Sequence, residues 1–325
     1  MDLLVIGGGR FVGRAIVLAA LAAGHRVSTF SRGRQPVPAG VRALHGDRRQ
    51  DLSALGSGRW DAVIDCCGYL PGEVAAMARA LAGRCPRYVF VSSVSVYADH
   101  ARPRTEDDPL AVLADPDDEA FSPERYGALK AGCEAALRAH WPGSALCLRP
   151  TLVVGPHDPT GRFSWWPARA AAGGPMLWPG RPEAPLQWVD ARDLATFALQ
   201  AAARDWTGAV NVGAPAGEWT WAELAQACTE ATDAAFTPVW RPQQVLLDAG
   251  VQPWSELPLW IPEGEGPHAA FLQVDCRRAR SLGLACRSPR QTVADTLAWW
   301  RGLPPAQRHF DATGLSPERE QALLA

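Results

Sequence analysis

The sequence predicts an α/β fold, in which a doubly wound parallel sheet is followed by a smaller C-terminal lobe. Three observations indicate this class. Short Val, Ile and Leu runs alternate with helix-like stretches in the first half, and a glycine-rich turn joins the first run to the first helix. Tryptophan and proline collect in the second half, where loops and short elements are expected. Alternating strands and helices are typical of parallel sheets, whose inner strands are apolar on both faces.

The apolar runs and the stretches between them define the expected elements. Strands are predicted at 3–6, 26–30, 41–44, 62–65, 88–91 and 145–148, and helices at 11–23, 72–82 and 124–140. In the second half, a helix is expected to follow Leu186–Asp193 and to run through Ala203, and another is expected at 289–301. Ser316 precedes Pro317, a pattern typical of an N-cap and a first helical residue, so a short helix is predicted at the end.

The composition excludes several classes of protein. The chain has 325 residues, 47% of them hydrophobic and 20% charged, which is typical of a folded globular protein. The net charge of −2 provides no basic field, so a nucleic-acid partner is not expected. No apolar run reaches the roughly 18 residues of a membrane helix, and the N-terminus leads into a strand, so neither a membrane partner nor a signal peptide is expected. The eight cysteines show no metal-ligand spacing, so we expect reduced thiols, no metal and a cytoplasmic location.

The first strand ends in the glycine turn Gly7-Gly-Gly-Arg-Phe-Val-Gly13, and a helix follows at once. Glycines let backbone amides approach a pyrophosphate, and a helix N-terminus favours its negative charge. The turn therefore predicts a Rossmann-type sheet that binds a dinucleotide; the alternative is a tight turn that binds nothing. Candidate cofactor residues in the turn are Gly7, Gly9, Arg10, Phe11, Val12 and Gly13.

The second strand ends in Phe30-Ser-Arg-Gly-Arg34, where the usual acidic residue for the ribose hydroxyls of NAD is missing. Arginine suits a 2′-phosphate because its planar fork pairs two oxygens. We therefore expect NADP(H), with NAD(H) as the alternative, and Ser31, Arg32 and Arg34 as candidate binding residues. Asp47 and Arg48 follow the third strand and are candidates for contact with the adenine side of the cofactor.

Lys130 is the sole lysine among 32 basic side chains, and it follows Tyr126 by four residues. Positions i and i+4 share one face of a helix, so the two side chains can enter one site. A neighbouring ammonium group favours phenolate, so we expect the pKa of Tyr126 to be lowered, as a proton carrier requires. The alternative is a surface lysine beside a core tyrosine.

Together these features resemble the extended short-chain dehydrogenase/reductase family from residue 1 to about 205, and more loosely beyond. The motifs that carry the resemblance are the glycine turn, Val91-Ser-Ser-Val-Ser-Val-Tyr97, Tyr126-Gly-Ala-Leu-Lys130, Arg149-Pro-Thr-Leu-Val-Val-Gly-Pro156 and Val189-Asp-Ala-Arg-Asp193. The Gly-Gly-x-Arg-Phe-x-Gly turn is most similar to a branch described as epimerase/dehydratase-like or reductase. It is also similar to that of the chloroplast stem-loop-binding proteins, which handle RNA.

The resemblance implies that Ser93 orients the substrate oxygen, that Tyr126 moves its proton, and that Lys130 lowers the pKa of Tyr126 and binds the nicotinamide ribose. Ser92 and Ser95 are alternatives to Ser93. The residues that it implies beside the cofactor are Cys66, Cys67, Gly68, Pro150 and Thr151. The chain departs from the family at three places: Arg10 replaces the second glycine, Cys66-Cys67 replaces the usual Ala pair, and Leu152 replaces the Asn of sugar-nucleotide enzymes.

Three functions remain open at this stage. The leading hypothesis is an NADP(H)-dependent oxidoreductase acting on a carbonyl or alcohol of a small molecule, as a monomer or homodimer. The alternatives are an epimerase or dehydratase that retains its cofactor, and a non-catalytic nucleotide- or RNA-binding protein. We expect residues 1–160, with returning elements at about 186–215, to form the dinucleotide-binding core, and residues 161–325 to form mainly the substrate lobe. Candidate substrate residues are Phe163, Trp165, Trp166, Arg169 and Gln187, and Arg162 and Arg192 are candidates for an anionic group; core packing is the alternative role of the tryptophans.

Overall fold

The computed structural model describes residues 1–115, 120–264 and 266–325. Within these ranges the strands are β1 (Asp2–Ile6), β2 (Arg26–Ser31), β3 (Arg42–His45), β4 (Ala62–Asp65), β5 (Arg87–Val91), β6 (Ser144–Pro150), β7 (Leu152–Val154), β8 (Gly174–Pro179), β9 (Pro185–Leu186), β10 (Trp188–Asp190), β11 (Gly208–Val212), β12 (Trp219–Thr220) and β13 (Phe236–Arg241). The helices are α1 (Phe11–Ala22), α2 (Pro71–Leu81), α3 (Tyr126–His140), α4 (Trp165–Ala171), α5 (Ala191–Ala202), α6 (Trp221–Ala231), α7 (Gln243–Asp248), α8 (Arg277–Ser281), α9 (Pro289–Gly302) and α10 (Pro317–Leu324).

Seven strands form one parallel sheet in the order β11-β6-β5-β4-β1-β2-β3. The chain leaves the central strand β1 towards β2 and β3, then returns to β4 on the other side of β1. The predicted Rossmann-type, doubly wound parallel sheet is therefore confirmed. The carboxyl ends of β1 and β4 flank the point where the direction of winding changes, which is where open parallel sheets bind ligands.

Both faces of the sheet are buried by helices, which explains the continuous apolar runs. Leu3 and Val5 of β1 pack into a core with α1 and α5 on one face. Leu4 and Ile6 of the same strand pack into a second core with α2 and α3 on the other face. Successive side chains of a strand point to opposite faces, so a strand covered on both sides has no solvent-facing position to fill with polar residues.

The second lobe has its own core, built around tryptophans. β8 pairs in parallel with β13, which brings Trp178 opposite Trp240. The rings of Trp166 and Trp178 lie 4.6 Å apart, and Trp221 packs against both. Large aromatic side chains bury much apolar surface each, so a few of them can hold together short strands and helices.

The predicted elements of the first half agree with the structure to within a few residues. The strand predicted at 62–65 coincides with β4, and the predicted third strand lies one residue further along, as β3. The predicted C-terminal helix is confirmed, because the Ser316 side chain accepts a hydrogen bond of 3.2 Å from the Arg319 amide at its N-terminus. Across the described ranges, no helix has both the length and the apolar character of a membrane span.

Candidate active site

The glycine turn between β1 and α1 is packed too closely to admit side chains. Gly7 has a φ of +86°, and a Cβ atom there would lie 2.8 Å from Sγ of Cys67. A Cβ atom at Gly13 would lie 2.2 Å from the Gly7 carbonyl oxygen, so α1 can approach the end of β1 only with glycine there. Arg10 precedes α1, whose first turn has no acidic residue and no side-chain cap. The first backbone amides of α1 are therefore suited to bind an anionic group such as a pyrophosphate.

Two arginine side chains are exposed to solvent just after the end of β2. Arg32 and Arg34 are exposed, and their guanidinium groups form no hydrogen bond or ion pair with any residue that the structure describes. The Ser31 hydroxyl accepts a hydrogen bond of 3.3 Å from the Gly33 amide, which shapes the turn between them. Asp47 is half-buried and accepts from the Arg49 amide at 3.0 Å.

Arg48, predicted to contact the cofactor, instead points into the protein interior. Its guanidinium donates to both carboxylate oxygens of Asp65 at 3.0 and 2.9 Å, and the ion pair is buried. Tyr88 and the Cys67 amide also donate to Asp65, at 2.7 and 3.1 Å. The prediction for Arg48 is corrected because Asp65, at the end of β4, provides the buried partner that this cation needs.

Ser93 and Tyr126 come together at the carboxyl end of β5. Ser93 begins a short turn, and its hydroxyl accepts from the Ser95 amide at 3.1 Å. The Ser93 hydroxyl donates to the Ser95 hydroxyl at 3.1 Å, and it lies close enough to the Tyr126 phenol to affect the pKa of that group. Ser92, an alternative to Ser93, donates to buried Glu134 at 2.6 Å and is occupied. The start of α3 packs directly against the backbone of Ser95. This packing requires glycine at position 127, because a Cβ atom there would lie 2.1 Å from the Ser95 carbonyl oxygen.

The electrostatics of Tyr126 differ from the expectation. Burial raises the pKa of Tyr126, and the nearby Ser93 hydroxyl offsets only part of this effect. Lys130 donates to the carbonyl oxygens of Gly68 at 2.9 Å and Val91 at 2.7 Å, and lies over the Phe90 ring at 4.2 Å. Its ammonium group is thus directed at backbone carbonyls, and the predicted lowering of the Tyr126 pKa by Lys130 is corrected.

Other predicted cofactor residues also lie at this edge of the sheet. Cys66 lines the cavity described below, and burial raises the pKa of its thiol. Burial likewise raises the pKa of Cys67 to about 11, so neither thiol has the thiolate character of a reactive cysteine. Pro150 ends β6, and the Thr151 amide donates to the Val212 carbonyl at 3.0 Å. Both residues line the same cavity as Cys66.

A cavity of about 1030 Å³ opens in front of these residues. Its sheet side includes Phe11 and Val12 of the glycine turn together with Ser93, Tyr126 and Lys130. Its other side is formed by the second lobe. The cavity is large enough for a nicotinamide group and a small organic molecule together.

Most of the predicted substrate residues lie outside this cavity. Phe163 lines it and remains a candidate substrate residue. Trp165 and Trp166 are buried in the tryptophan-rich core, where they serve the packing role. Arg169 forms an ion pair with Glu320 at 2.6 Å, and the buried Gln187 amide donates to the carbonyls of Ala214 and Val274, both at 2.8 Å. These four predictions are corrected: the indoles pack, and the two polar groups have partners within the protein.

Several aromatic residues that line the cavity were not among the residues predicted from the sequence. Tyr69 and Phe121 are exposed at its rim, with ring centroids 6.2 Å apart. Trp254 and Phe271 line the second-lobe side, and their centroids are 6.0 Å apart. All four belong to loops, and only the tertiary fold brings them to the cavity. The described residues contain no group of three or more His, Cys, Asp or Glu side chains placed to hold a metal ion.

Residues 70–213 match the model of the NAD dependent epimerase/dehydratase family. This segment includes Ser93, Tyr126 and Lys130. A curated relative, the chloroplast stem-loop binding protein of 41 kDa b from Arabidopsis thaliana, is 25% identical over 221 residues, 61% of this chain. The match covers 54% of the relative, so the chain spans about half of that protein's length.

Similar folds occur among solved structures. A human epimerase family protein, SDR39U1, solved with NADPH, aligns with a TM-score of 0.60 and 22% identity over 92% of this chain and 99% of its own. The enzyme WbmH from Bordetella bronchiseptica, solved with NAD+, aligns with a TM-score of 0.68 and 16% identity over 92% and 98%. A UDP-glucose 4-epimerase aligns with a TM-score of 0.70 and 14% identity over 94% and 99%. At these identities the similarity establishes the fold alone.

Proposed function

We propose that this chain, whose residues 70–213 match the model of the NAD dependent epimerase/dehydratase family, is an NADP(H)-dependent oxidoreductase that acts on a carbonyl or alcohol of a small molecule. One observation carries the proposal. Ser93 and Tyr126 line one large cavity, whose wall also includes the start of α1. A proton carrier beside a dinucleotide-binding turn is the arrangement that carbonyl reduction requires.

Tyr126 would act as the general acid in reduction. The cofactor, when bound, supplies the hydride that the carbonyl carbon accepts. Tyr126 gives its phenolic proton to the carbonyl oxygen, and the Ser93 hydroxyl donates a hydrogen bond to that oxygen. The product is the alcohol, and solvent returns a proton to the phenolate. The raised pKa of Tyr126 suits this direction, because the phenol stays protonated at neutral pH.

Lys130 would support the reaction by position. Its ammonium group is fully enclosed at the base of the cavity, and the carbonyl oxygens of Gly68 and Val91 hold it. An ammonium has three donor hydrogens, and these two bonds leave one for a cofactor hydroxyl. We propose that Lys130 binds the nicotinamide ribose, as the family resemblance implies.

The glycine turn and the end of β2 fit NADP(H). A Cβ atom at Gly9 would lie 2.8 Å from the Gln35 Cβ, so the turn is closed to side chains but leaves its backbone amides available. Ser31, Arg32 and Arg34 would bind the 2′-phosphate, and Asp47 would lie on the adenine side. Arg10, exposed in the turn, is a further candidate for a phosphate.

Replacing both Arg32 and Arg34 by Ala is expected to raise the Kd for NADP(H) about 10- to 100-fold and to change the Kd for NAD(H) less than about threefold, because a bidentate phosphate contact is lost. Titration of both cofactors into the wild-type and variant proteins measures this. Arg204→Ala is the matched control, since Arg204 is exposed and precedes β11 at the opposite edge of the sheet. Equal weakening of both cofactors, or wild-type NAD binding as tight as NADP binding, would contradict the assignment.

The reaction itself is tested by net turnover. Purified protein is mixed with NADPH and a panel of aldehydes and ketones, and the loss of reduced-nicotinamide absorbance is followed. Steady consumption of NADPH, with an equal amount of alcohol formed, supports the oxidoreductase. Cofactor retained through purification, without net consumption by any compound of the panel, would contradict it.

An epimerase or dehydratase is the second candidate, and the family match is the observation that favours it. Such an enzyme begins with a transient oxidation, so Ser93, Tyr126 and Lys130 could serve it equally. Two features weigh against a sugar-nucleotide substrate or a dehydration. Leu152 lines the cavity where such relatives have Asn, and the neighbours of Ser93 along the chain are Val94 and Ser95, which supply no carboxylate.

A further inference from the structure

Arg162 lies on the second-lobe side of the cavity, in the segment between β7 and α4. A hydrogen-bonded turn fixes its backbone. The Asp158 carboxylate accepts from the amide and the hydroxyl of Thr160, both at 2.8 Å, and the Thr160 hydroxyl accepts from the Arg162 amide at 3.3 Å. Phe163, the next residue, is fully buried. Arg162 is thus attached to a well-ordered wall and not to a free loop.

The Arg162 guanidinium faces the cavity without a polar partner. It stacks over the Trp254 ring at 5.1 Å from the centroid, and within the described part of the chain it forms no ion pair or side-chain hydrogen bond. The Asp158 carboxylate interacts electrostatically with Arg162 but forms no ion pair with it; Thr160 donates to both of its oxygens, and burial raises the pKa of Asp158. Stacking on an indole holds the planar cation in place and leaves its N–H groups available.

The rest of the second-lobe wall is largely apolar and aromatic, and its other polar side chains are those of Asp158, Thr160 and His268. Trp260, Ile261, Phe163 and Phe271 line it beside Trp254. Among the described lining residues the Lys and Arg side chains are Lys130 and Arg162, and backbone carbonyls already hold Lys130. A nucleotide diphosphate would bring at least two negative charges and several polar groups to this wall. One unpaired guanidinium in an apolar wall matches a single negative charge on an apolar body.

We propose that Arg162 binds one carboxylate group of the substrate, so that the substrate is an aromatic or otherwise apolar carbonyl compound with a single carboxylate, an inference that rests on the proposed function. The carboxylate would pair with the guanidinium fork above Trp254. The apolar body would lie against Phe163 and Phe271, with the carbonyl directed to Ser93 and Tyr126 across the cavity.

Three probes test this assignment: 4-formylbenzoate, its neutral methyl ester, and 4-formylphenyl phosphate. With wild-type protein and NADPH, we expect kcat/KM for the carboxylate to exceed that for the ester by about tenfold or more, as a charge-assisted hydrogen bond allows. Arg162→Gln should lower kcat/KM for the carboxylate by about 10- to 100-fold, chiefly through KM, and should leave the ester within about twofold. Arg162→Lys, which keeps the charge, should restore part of the preference.

Arg290→Gln is the control variant, because Arg290 is an exposed arginine of α9 whose partner is Glu230. An equal loss for acid and ester in Arg162→Gln, or a wild-type preference for the phosphate over the carboxylate, would overturn the assignment.

Calorimetric titration of 4-(hydroxymethyl)benzoate and its methyl ester onto the NADP+-loaded wild type and Arg162→Gln gives a readout independent of turnover. Acid-selective binding that Arg162→Gln abolishes, without turnover of any probe, would uphold the carboxylate site and contradict the proposed reaction. Binding without acid selectivity would overturn the site whether or not the probes turn over.

Discussion

Tyr126→Phe is expected to lower kcat for NADPH-dependent carbonyl reduction by about 10²- to 10⁴-fold, the usual contribution of a positioned general acid. The substitution removes the phenolic hydroxyl and keeps the ring that packs against Phe121. The Kd for NADP(H) should remain nearly unchanged, because the phenol is proposed to contact the substrate oxygen. Steady-state kinetics and direct cofactor titration measure the two effects separately.

The pH profile gives this prediction a second readout. A general acid acts in its protonated form, and burial raises the pKa of Tyr126, so the reduction rate should hold through neutral pH and fall as pH rises through that raised value. The residual activity of Tyr126→Phe should lack this alkaline decline. Tyr97→Phe is the control, because Tyr97 is buried outside the cavity lining. Its hydroxyl donates a hydrogen bond of 2.6 Å to the Asn211 side chain. It should lower stability but not kcat, and a comparable kcat loss in both variants would assign Tyr126 a structural role.

The first half of the fold was predictable because its signals are local. Each strand is a short apolar run, and the strand order follows from one change of direction at β1. The sequence patterns of the second lobe predict its strands less well. β8 and β13 pair although about 60 residues of chain separate them, and β9 and β12 have only two residues each. Pairing between distant short strands depends on the tryptophan core that surrounds them, and this core becomes visible only in three dimensions.

At the candidate site, the residues predicted to share one site do lie together, but the partners of several side chains were not predicted. Ser93, Tyr126 and Lys130 do line one cavity. The prediction for Arg48 depended only on its position after the third strand, and such a position does not reveal that Asp65 pairs with its guanidinium in the interior. The Lys130 ammonium has strong backbone acceptors nearby, and spacing along a helix cannot reveal them.

The Arg48–Asp65 ion pair also connects the fold to the candidate site. Asp65 ends β4 and is followed directly by Cys66 and Cys67, and a Cβ atom at Gly7 would collide with the Cys67 sulfur. The Asp65 carboxylate, by accepting from the Cys67 amide, fixes the backbone on which the glycine turn rests. Loss of the Asp65 carboxylate charge should therefore lower the stability of the fold and disturb the glycine turn.

Asp65→Asn is expected to lower the free energy of unfolding by about 3–5 kcal/mol, the cost of leaving one member of a buried ion pair without its partner. The variant keeps the shape of the side chain but removes the closer of the two carboxylates that face the buried Arg48 guanidinium, and Glu73, at 3.8 Å, remains. Urea unfolding at neutral pH, with intrinsic tryptophan fluorescence, measures the change. The control is Asp2→Asn, which breaks the exposed ion pair with Arg26 and should cost no more than about 1 kcal/mol.

The difference between wild type and Asp65→Asn should also depend on pH. Burial alone would raise the pKa of Asp65, but Arg48, Tyr88 and the Cys67 amide together hold it below its usual value. A carboxyl group with a lowered pKa in the folded state contributes stability above its unfolded pKa of about 3.9, and loses that contribution as pH falls through the folded value. The wild-type advantage should thus be full at neutral pH and shrink in acid below about pH 4. An advantage that is absent at pH 7, or that grows in acid, would show that the carboxylate charge of Asp65 does not stabilise the end of β4.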